Sequence, residues 1–385
     1  MDEQTFTLQK FRDYYSSHPP QVEDVEKREF GFGTWEKKIE YRHMHFKSNE
    51  ELFARILNDK PPFISYSAAY YEFPDARPMV KKSWKGAELI FDLDAKHSEW
   101  DTQKKFPDCD KFTCEKCFSH IKEQAWKLIE EFLIPDFGFE KKDISVNFSG
   151  NRGYHVRVKN EEVLSLGREE RREIVDYVLA TGIGFSNFFS FVEQKLKEAS
   201  KERKSTEPMP SQGGYFGKFA RKTILRLGEK EFAEWLLGKK NATAENIEKF
   251  ASGIREGNWD AIHIRNRDEK FQKIFEELKA VSSAEIDANV TFDTSKLLRM
   301  PDSLHGSSGM CAKRMKLNEL EKFEPTKEAA IFGEKPLKVK IVEKVPELQF
   351  LNSIHGPFET DAEVELPESL AVYLICKRSA RFSAD

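Results

Sequence analysis

No apolar run in this chain approaches the ~20 residues that cross a bilayer. The N-terminal "MDEQTFTLQKF" lacks the basic, apolar and small-residue succession of a secretory signal, so a cytoplasmic protein is expected. Cysteine is scarce as well. Five residues in 385, three of them clustered, fit a metal site in a reducing compartment better than a disulfide framework. Surplus positive charge is also missing: the net charge is −4, without the basic bulk of many DNA-binding domains. A polyanionic partner would have to be met by a local cluster. Neither an internal repeat nor a long low-complexity tract is visible. What remains, 39% hydrophobic and 33% charged residues, is globular and long enough for two domains or for one large core with an insertion.

The texture changes along the chain. The first 85 residues combine a helix, "QTFTLQKFRDYYSSH", with strand-like pieces such as "KKIEYRHMHF" and "FISYSAAYY". An "ELIFDLD" strand, a polar Cys-containing loop and the helix "FSHIKEQAWKLIEEFLIPDFG" follow. "ISVNFSGNRGYHVRVK" reads as two alternating strands around a glycine-flanked turn. Charge-rich helical segments then give way to strand texture in "VTFDTSKLLRMPDSLHG", "LKVKIVEK" and "EVELPESLAVYLICKR". The pattern predicts an α+β catalytic domain, 1–160 and 280–385, interrupted by a helical insert at 161–279.

Within "GAELIFDLDAKH", strand alternation puts Asp92 and Asp94 on one side and Phe91 and Leu93 on the other. Two neighbouring carboxylates repel and resist burial unless a cation lies between them. The pair therefore reads either as a strand end reaching solvent or as a divalent-metal site. Cys109, Cys114 and Cys117, in "PDCDKFTCEKCFSH", have the C-x2-C spacing that clamps a tetrahedral Zn²⁺, with a third thiolate upstream. This predicts a structural zinc knuckle at about 97–120, with His97 the favoured fourth ligand and His120 and Asp108 the alternatives. The "SGNRGYH" turn sets Ser149, Arg152 and His155 around backbone N–H groups that can wrap phosphate oxygens; an ordinary hairpin turn is the plain alternative. A distant segment, "EIDANVTFDTSKLLRMPDSLHG", gathers Asp287, Asp293, Arg299 and His305.

Taken together and in this order, "FDLDA", the Cys-rich knuckle, "SGNRGYH" and "IDANVT…LLRMPDSLHG" resemble the catalytic small subunit of archaeal and eukaryotic-type DNA primases, and the "VELPESLAVYL" ending resembles its archaeal members. The resemblance spans most of residues 25 to 376. It implies a mixed α/β catalytic domain with a helical insert. It makes Asp92, Asp94 and Asp287 ligands of two Mg²⁺ or Mn²⁺ ions. Ser149, Arg152, His155, Arg299 and His305 become nucleotide-binding residues, joined by Arg42 in "EYRHMHF". The turn carries Asn151 where several relatives have a further arginine, which predicts a less charged phosphate pocket.

The expected activity is a DNA-dependent primase that joins nucleoside triphosphates de novo into short primers on single-stranded DNA. Such an enzyme would work with a primase large subunit and the replication machinery in a cytoplasmic, nucleoid-associated setting. A primase-polymerase of repair or of a mobile element, a two-metal nuclease and a non-catalytic nucleic-acid-binding scaffold are the rival readings.

Overall fold

The computed structural model describes residues 2–95, 111–112, 115–189 and 207–382. It divides into two compact units, Met1–Trp126 with Phe139–Glu173 and Ile286–Asp385, and Lys127–Gly138 with Ile174–Glu285. In chain order the strands are β1 (Phe30–Gly33), β2 (Tyr41–Met44), β3 (Phe63–Ser67), β4 (Ala69–Tyr71), β5 (Trp84–Ala87), β6 (Leu89–Asp94), β7 (Ile144–Phe148) and β8 (Gly153–Val158). Beyond residue 286 come β9 (Leu297–Arg299), β10 (Arg314–Met315), β11 (Pro336–Ile341), β12 (Leu348–Phe350), β13 (Ser353–His355), β14 (Glu363–Pro367) and β15 (Ala380–Phe382). All belong to the first unit, as two four-stranded sheets, β2-β1-β3-β9 and β10-β7-β8-β6, a three-stranded sheet, β14-β11-β15, and two hairpins. Every pairing is antiparallel, and the fold is mixed α+β, as the sequence pattern predicts.

Local chemistry sets the helices that buttress this unit. Asp2 caps helix Glu3–Ser17 by accepting from the Thr5 amide, and Ser48 caps Asn49–Asp59 by accepting from Glu51. The i, i+4 pairs Phe11/Tyr15 and Leu52/Ile56 bury their faces in one core with Phe30, Ile64 and Met300.

Register in the second sheet is fixed by burial. Leu89, Phe91 and Leu93 of β6 are fully buried and lie opposite Val158, Val156 and Tyr154 of β8. Their alternates Ile90, Asp92 and Asp94 stand on the other face opposite Arg157, His155 and Gly153. A slip of one residue would turn the three apolar side chains outward, at ~1.5–3 kcal/mol each, and bury the acids. The start of β6 is also clamped: Arg171, buried, donates to the carbonyls of Leu166 (2.9 Å), Val163 (3.0 Å), Ala87 (2.7 Å) and Glu88 (2.9 Å).

Two stretches with strand texture prove helical. Asp287 takes the N-cap of helix Ala288–Phe292, so "VTF" is coiled before β9 begins. "ESLAVYLIC" forms helix Glu368–Cys376 after β14, buried at every position from Ser369 onward. A short apolar run buried all round carries no period that separates helix from strand.

The second unit is helical, built largely on Gly214–Arg226, Lys230–Leu237, Ala244–Arg255 and Arg267–Ser282. Its core is aromatic, with Phe189, Phe219 and Phe271 around a fully buried Trp259 whose indole N–H donates to Pro208 O at 2.7 Å. Among the described residues no helix is long and apolar enough to cross a membrane.

Candidate active site

Because β6 and β8 pair in register, Asp92 faces His155 across the strands, with Nε2 3.4 Å from Asp92 Oδ1. The Asn147 amide donates to His155 Nδ1 (3.3 Å), so the ring proton sits on Nε2, toward the acid. Burial, then Arg157 and Arg299, push the imidazole down to about 3 and keep it neutral. Burial, then the charges of Asp94 and Asp287, push the Asp92 carboxyl up to about 7. Asp287 is tied directly to this strand: its amide donates to Asp92 O at 2.8 Å.

Each acid takes a different partner. Asp94 Oδ2 lies 3.5 Å from Arg152 Nε, and Asp287 Oδ1 accepts from Asn289 N at 2.9 Å. Among the described residues, no three acidic, His or Cys side chains are gathered as a metal-holding group. The donor chemistry nevertheless fits a divalent cation. Asp94 and Asp287 both act on Asp92, whose carboxyl is driven toward its neutral form by burial and then by these two charges.

The phosphate-side candidates come from two segments that touch. Gly150 has φ +83°, and a β-carbon on it would stand 2.9 Å from the His305 β-carbon. Ser308 Oγ donates to Gly150 O, closing the same contact. Ser149 Oγ accepts from the amides of Asn151 (3.4 Å) and Gly153 (3.1 Å), which shapes the turn from within. Gly153 itself admits no side chain, since a β-carbon would be 2.2 Å from Leu93 O.

Arg299 donates to Ile64 O at 3.1 Å, and its guanidinium lies 4.9 Å from the Phe63 ring centre. His305 meets the same ring edge-on at 5.3 Å. Its Nδ1 accepts from the Ser307 amide (3.2 Å), which again leaves the proton on Nε2. Burial, then Arg299, Lys38, Lys377 and His155, hold the His305 imidazole well below its ordinary range.

Arg42 is engaged elsewhere, forked onto buried Glu29 (2.9 and 3.3 Å) and donating to Ser295 O at 2.9 Å. It braces the segment that carries Lys296.

Three cations without a sequence signal complete the picture. Lys38 and Lys296 both pull the Asp92 carboxyl downward, and Lys38 also acts on His305. Lys377, at the C-terminal end of helix Glu368–Cys376, donates to Asn151 Oδ1 at 3.0 Å. Burial, then Arg152, push its ammonium down to about 8. The "SGNRGYH" turn thus receives a lysine at the residue expected to leave it short of charge.

Of the zinc candidates, Cys117 is buried in the first turn of helix Glu115–Leu128, which also carries His120. His97, Asp108, Cys109 and Cys114 lie outside the described residues.

The family described as DNA primase small subunit matches residues 91–317, from the acidic strand to just past β10. The DNA primase small subunit PriS of Methanococcoides burtonii is 34% identical, with 97% of each chain covered. PriS of Methanothrix thermoacetophila is likewise 34% identical over 97% of each chain. PriS of Thermoplasma volcanium is 32% identical over 97% of this chain and 96% of its own. With Asp92, Asp94 and His155 of the β6–β8 pair inside that span, this chain belongs to the DNA primase small subunit family.

Proposed function

We propose that the chain is the catalytic subunit of a DNA primase, joining nucleoside triphosphates de novo on single-stranded DNA and releasing pyrophosphate. The observation that carries this reading is the Gly150–His305 contact. It brings the phosphate-type turn and the Arg299/His305 segment together beside the strand of Asp92 and Asp94.

In this reading Asp92, Asp94 and Asp287 hold two Mg²⁺ or Mn²⁺ ions, which when bound supply positive charge to the attacking and leaving oxygens. The protein's own groups orient the triphosphate. Arg299, Lys38 and Lys377 offer fixed charge, while neutral His155 and His305 offer Nε2–H donors that need no deprotonation to reset. A primer or first-nucleotide 3′-hydroxyl releases its proton to water, and its oxygen forms the bond to the α-phosphorus as the bond to the pyrophosphate oxygen breaks. The bonding pair leaves with pyrophosphate, near Lys377 and Arg152. A zinc knuckle on Cys109, Cys114, Cys117 and His97, and assembly with a primase large subunit, belong to the same proposal. The relatives' own designation as small subunits supports the latter.

The test is incubation with unprimed single-stranded DNA, labelled nucleotides and Mg²⁺ or Mn²⁺. New short oligomers support the proposal. Extension of added primers alone would replace it with a primase-polymerase, degradation with a nuclease, and binding without chemistry with a scaffold.

A further inference from the structure

A second cationic feature lies on the acid-bearing face of the β10-β7-β8-β6 sheet. His155 and Arg157 alternate along β8 and so share a face, two residues or ~6.6 Å apart. Asn147 joins them: its Nδ2 donates to His155 Nδ1, and its Oδ1 accepts from Arg157 Nε, both at 3.3 Å. Beyond Arg157 opens a cavity of about 720 Å³, within the size range of ligand pockets. Its lining holds seven cationic and four acidic side chains, a local surplus in a chain of net charge −4.

The floor of this cavity carries a buried charge that no described residue balances. Arg28 and Arg157, 2% and 5% exposed, share the single carboxylate of Glu88 at 2.5 and 2.9 Å. Both guanidiniums also lie over the Tyr66 ring, at 4.8 and 4.9 Å. Burial raises the Glu88 carboxyl, but Arg28 and Arg157 overcome it and hold it down to about 2. Glu88 therefore stays charged, and arginine does not give up its proton. One positive charge is left over in the interior, where an unmatched ion is costly. Among the described residues Arg157 Nη2 has no hydrogen-bond partner. Lys141, Lys142 and Lys316 stand around the same cavity.

We propose that this cavity is a phosphate-binding site, distinct from the Ser149–His155 turn, which takes the phosphates of a nucleotide or the 5′-phosphate of a strand. A phosphate there would accept a charge-assisted hydrogen bond from Arg157 Nη2 and would neutralise the leftover charge. Asn147 would link its occupancy to the orientation of His155.

The probe is inorganic tripolyphosphate, titrated calorimetrically without divalent metal into three proteins. These are the unaltered chain, Arg299→Ala, and the surface triple variant Lys141→Glu/Lys142→Glu/Lys316→Glu, which spares the buried network. The expected result is binding that survives Arg299→Ala and weakens about tenfold or more in the triple variant. Arg157→Leu, if folded by circular dichroism, should show the same loss. No binding, binding lost with Arg299→Ala, or binding unchanged in the triple variant would overturn the proposal.

Two further ligands separate the sources. Loss of nucleoside triphosphate binding in the triple variant assigns a free nucleotide. Loss of a preference for 5′-phosphorylated over 5′-hydroxyl oligonucleotide assigns a strand end. Equal weakening of both oligonucleotides, with tripolyphosphate unaffected, would reduce the feature to a diffuse basic surface.

Discussion

Gly150 and His305 are held so close that a single methyl group on the glycine would stand 2.9 Å from the histidine's β-carbon. At φ +83° that glycine also occupies backbone space that an L side chain rarely adopts. Gly150→Ala should therefore destabilise the chain by ~1–3 kcal/mol and raise the KM for nucleotide, because the turn and His305 must separate. Chemical denaturation and steady-state incorporation check both. Unchanged stability and KM would mean the contact is not maintained in solution.

His305 offers a neutral N–H donor, and losing one such bond to a charged phosphate costs ~1.5–3 kcal/mol. His305→Ala should weaken nucleotide use by roughly ten- to a hundredfold and leave single-stranded DNA binding nearly unchanged. Equal losses would move the residue to the template path.

Asp92 links stability to pH with a definite sign. Its carboxyl titrates near 7 in the folded chain, raised from 3.8 by burial, then Asp94 and Asp287. Between those values the native state holds a proton that the unfolded state has released. Stability thus falls as pH rises, and the loss is complete above about 7. Asp92→Asn should raise the metal-free Tm at about pH 8, leave it unchanged at about pH 3, and abolish incorporation. Absence of the gain at high pH would show an ordinary carboxyl.

Asp94→Ala and Asp287→Ala should also abolish incorporation with the fold intact by circular dichroism. Near-normal turnover in Asp287→Ala would remove it from the acid set. Asp293 is the next acid to test, although Ser295 already engages its Oδ1 through N (3.0 Å) and Oγ (2.6 Å).

Lys377 gives a second pH signature. Burial, then Arg152, lower its ammonium to about 8, so nucleotide affinity should decline as pH rises through that value. Lys377→Arg should keep affinity and lose the decline, and Lys377→Met should be weak throughout. A Lys377→Met profile matching the parent would exclude the residue from the pocket.

The acid strand was readable because its logic is local. A period of two separates Asp92 and Asp94 from Phe91 and Leu93, and burial of the apolar set enforces the separation. The hairpin that presents His155 was readable for the same reason. Asp287 was found through the family pattern, but its helix was hidden by the strand-like "VTF" that it caps. Lys38, Lys296 and Lys377 were not readable, since only tertiary packing brings three remote segments to one carboxylate and one imidazole. Arg42 shows the converse limit. Its position was recognisable, but its partner, buried Glu29, was not.

Arg171 stands apart from the chemistry, yet it ties the carbonyls of Ala87 and Glu88 at the entrance to β6 to those of Val163 and Leu166 beyond β8. Releasing that end of the acid strand would strip the Ala87 and Glu88 acceptors from Arg171 together, so slow exchange of the amides of Leu89 to Phe91 is expected in the first unit. A lysine at 171 has a single nitrogen to offer and could not reproduce the fork. The strand that presents the acids is thereby anchored from within the fold by one buried guanidinium.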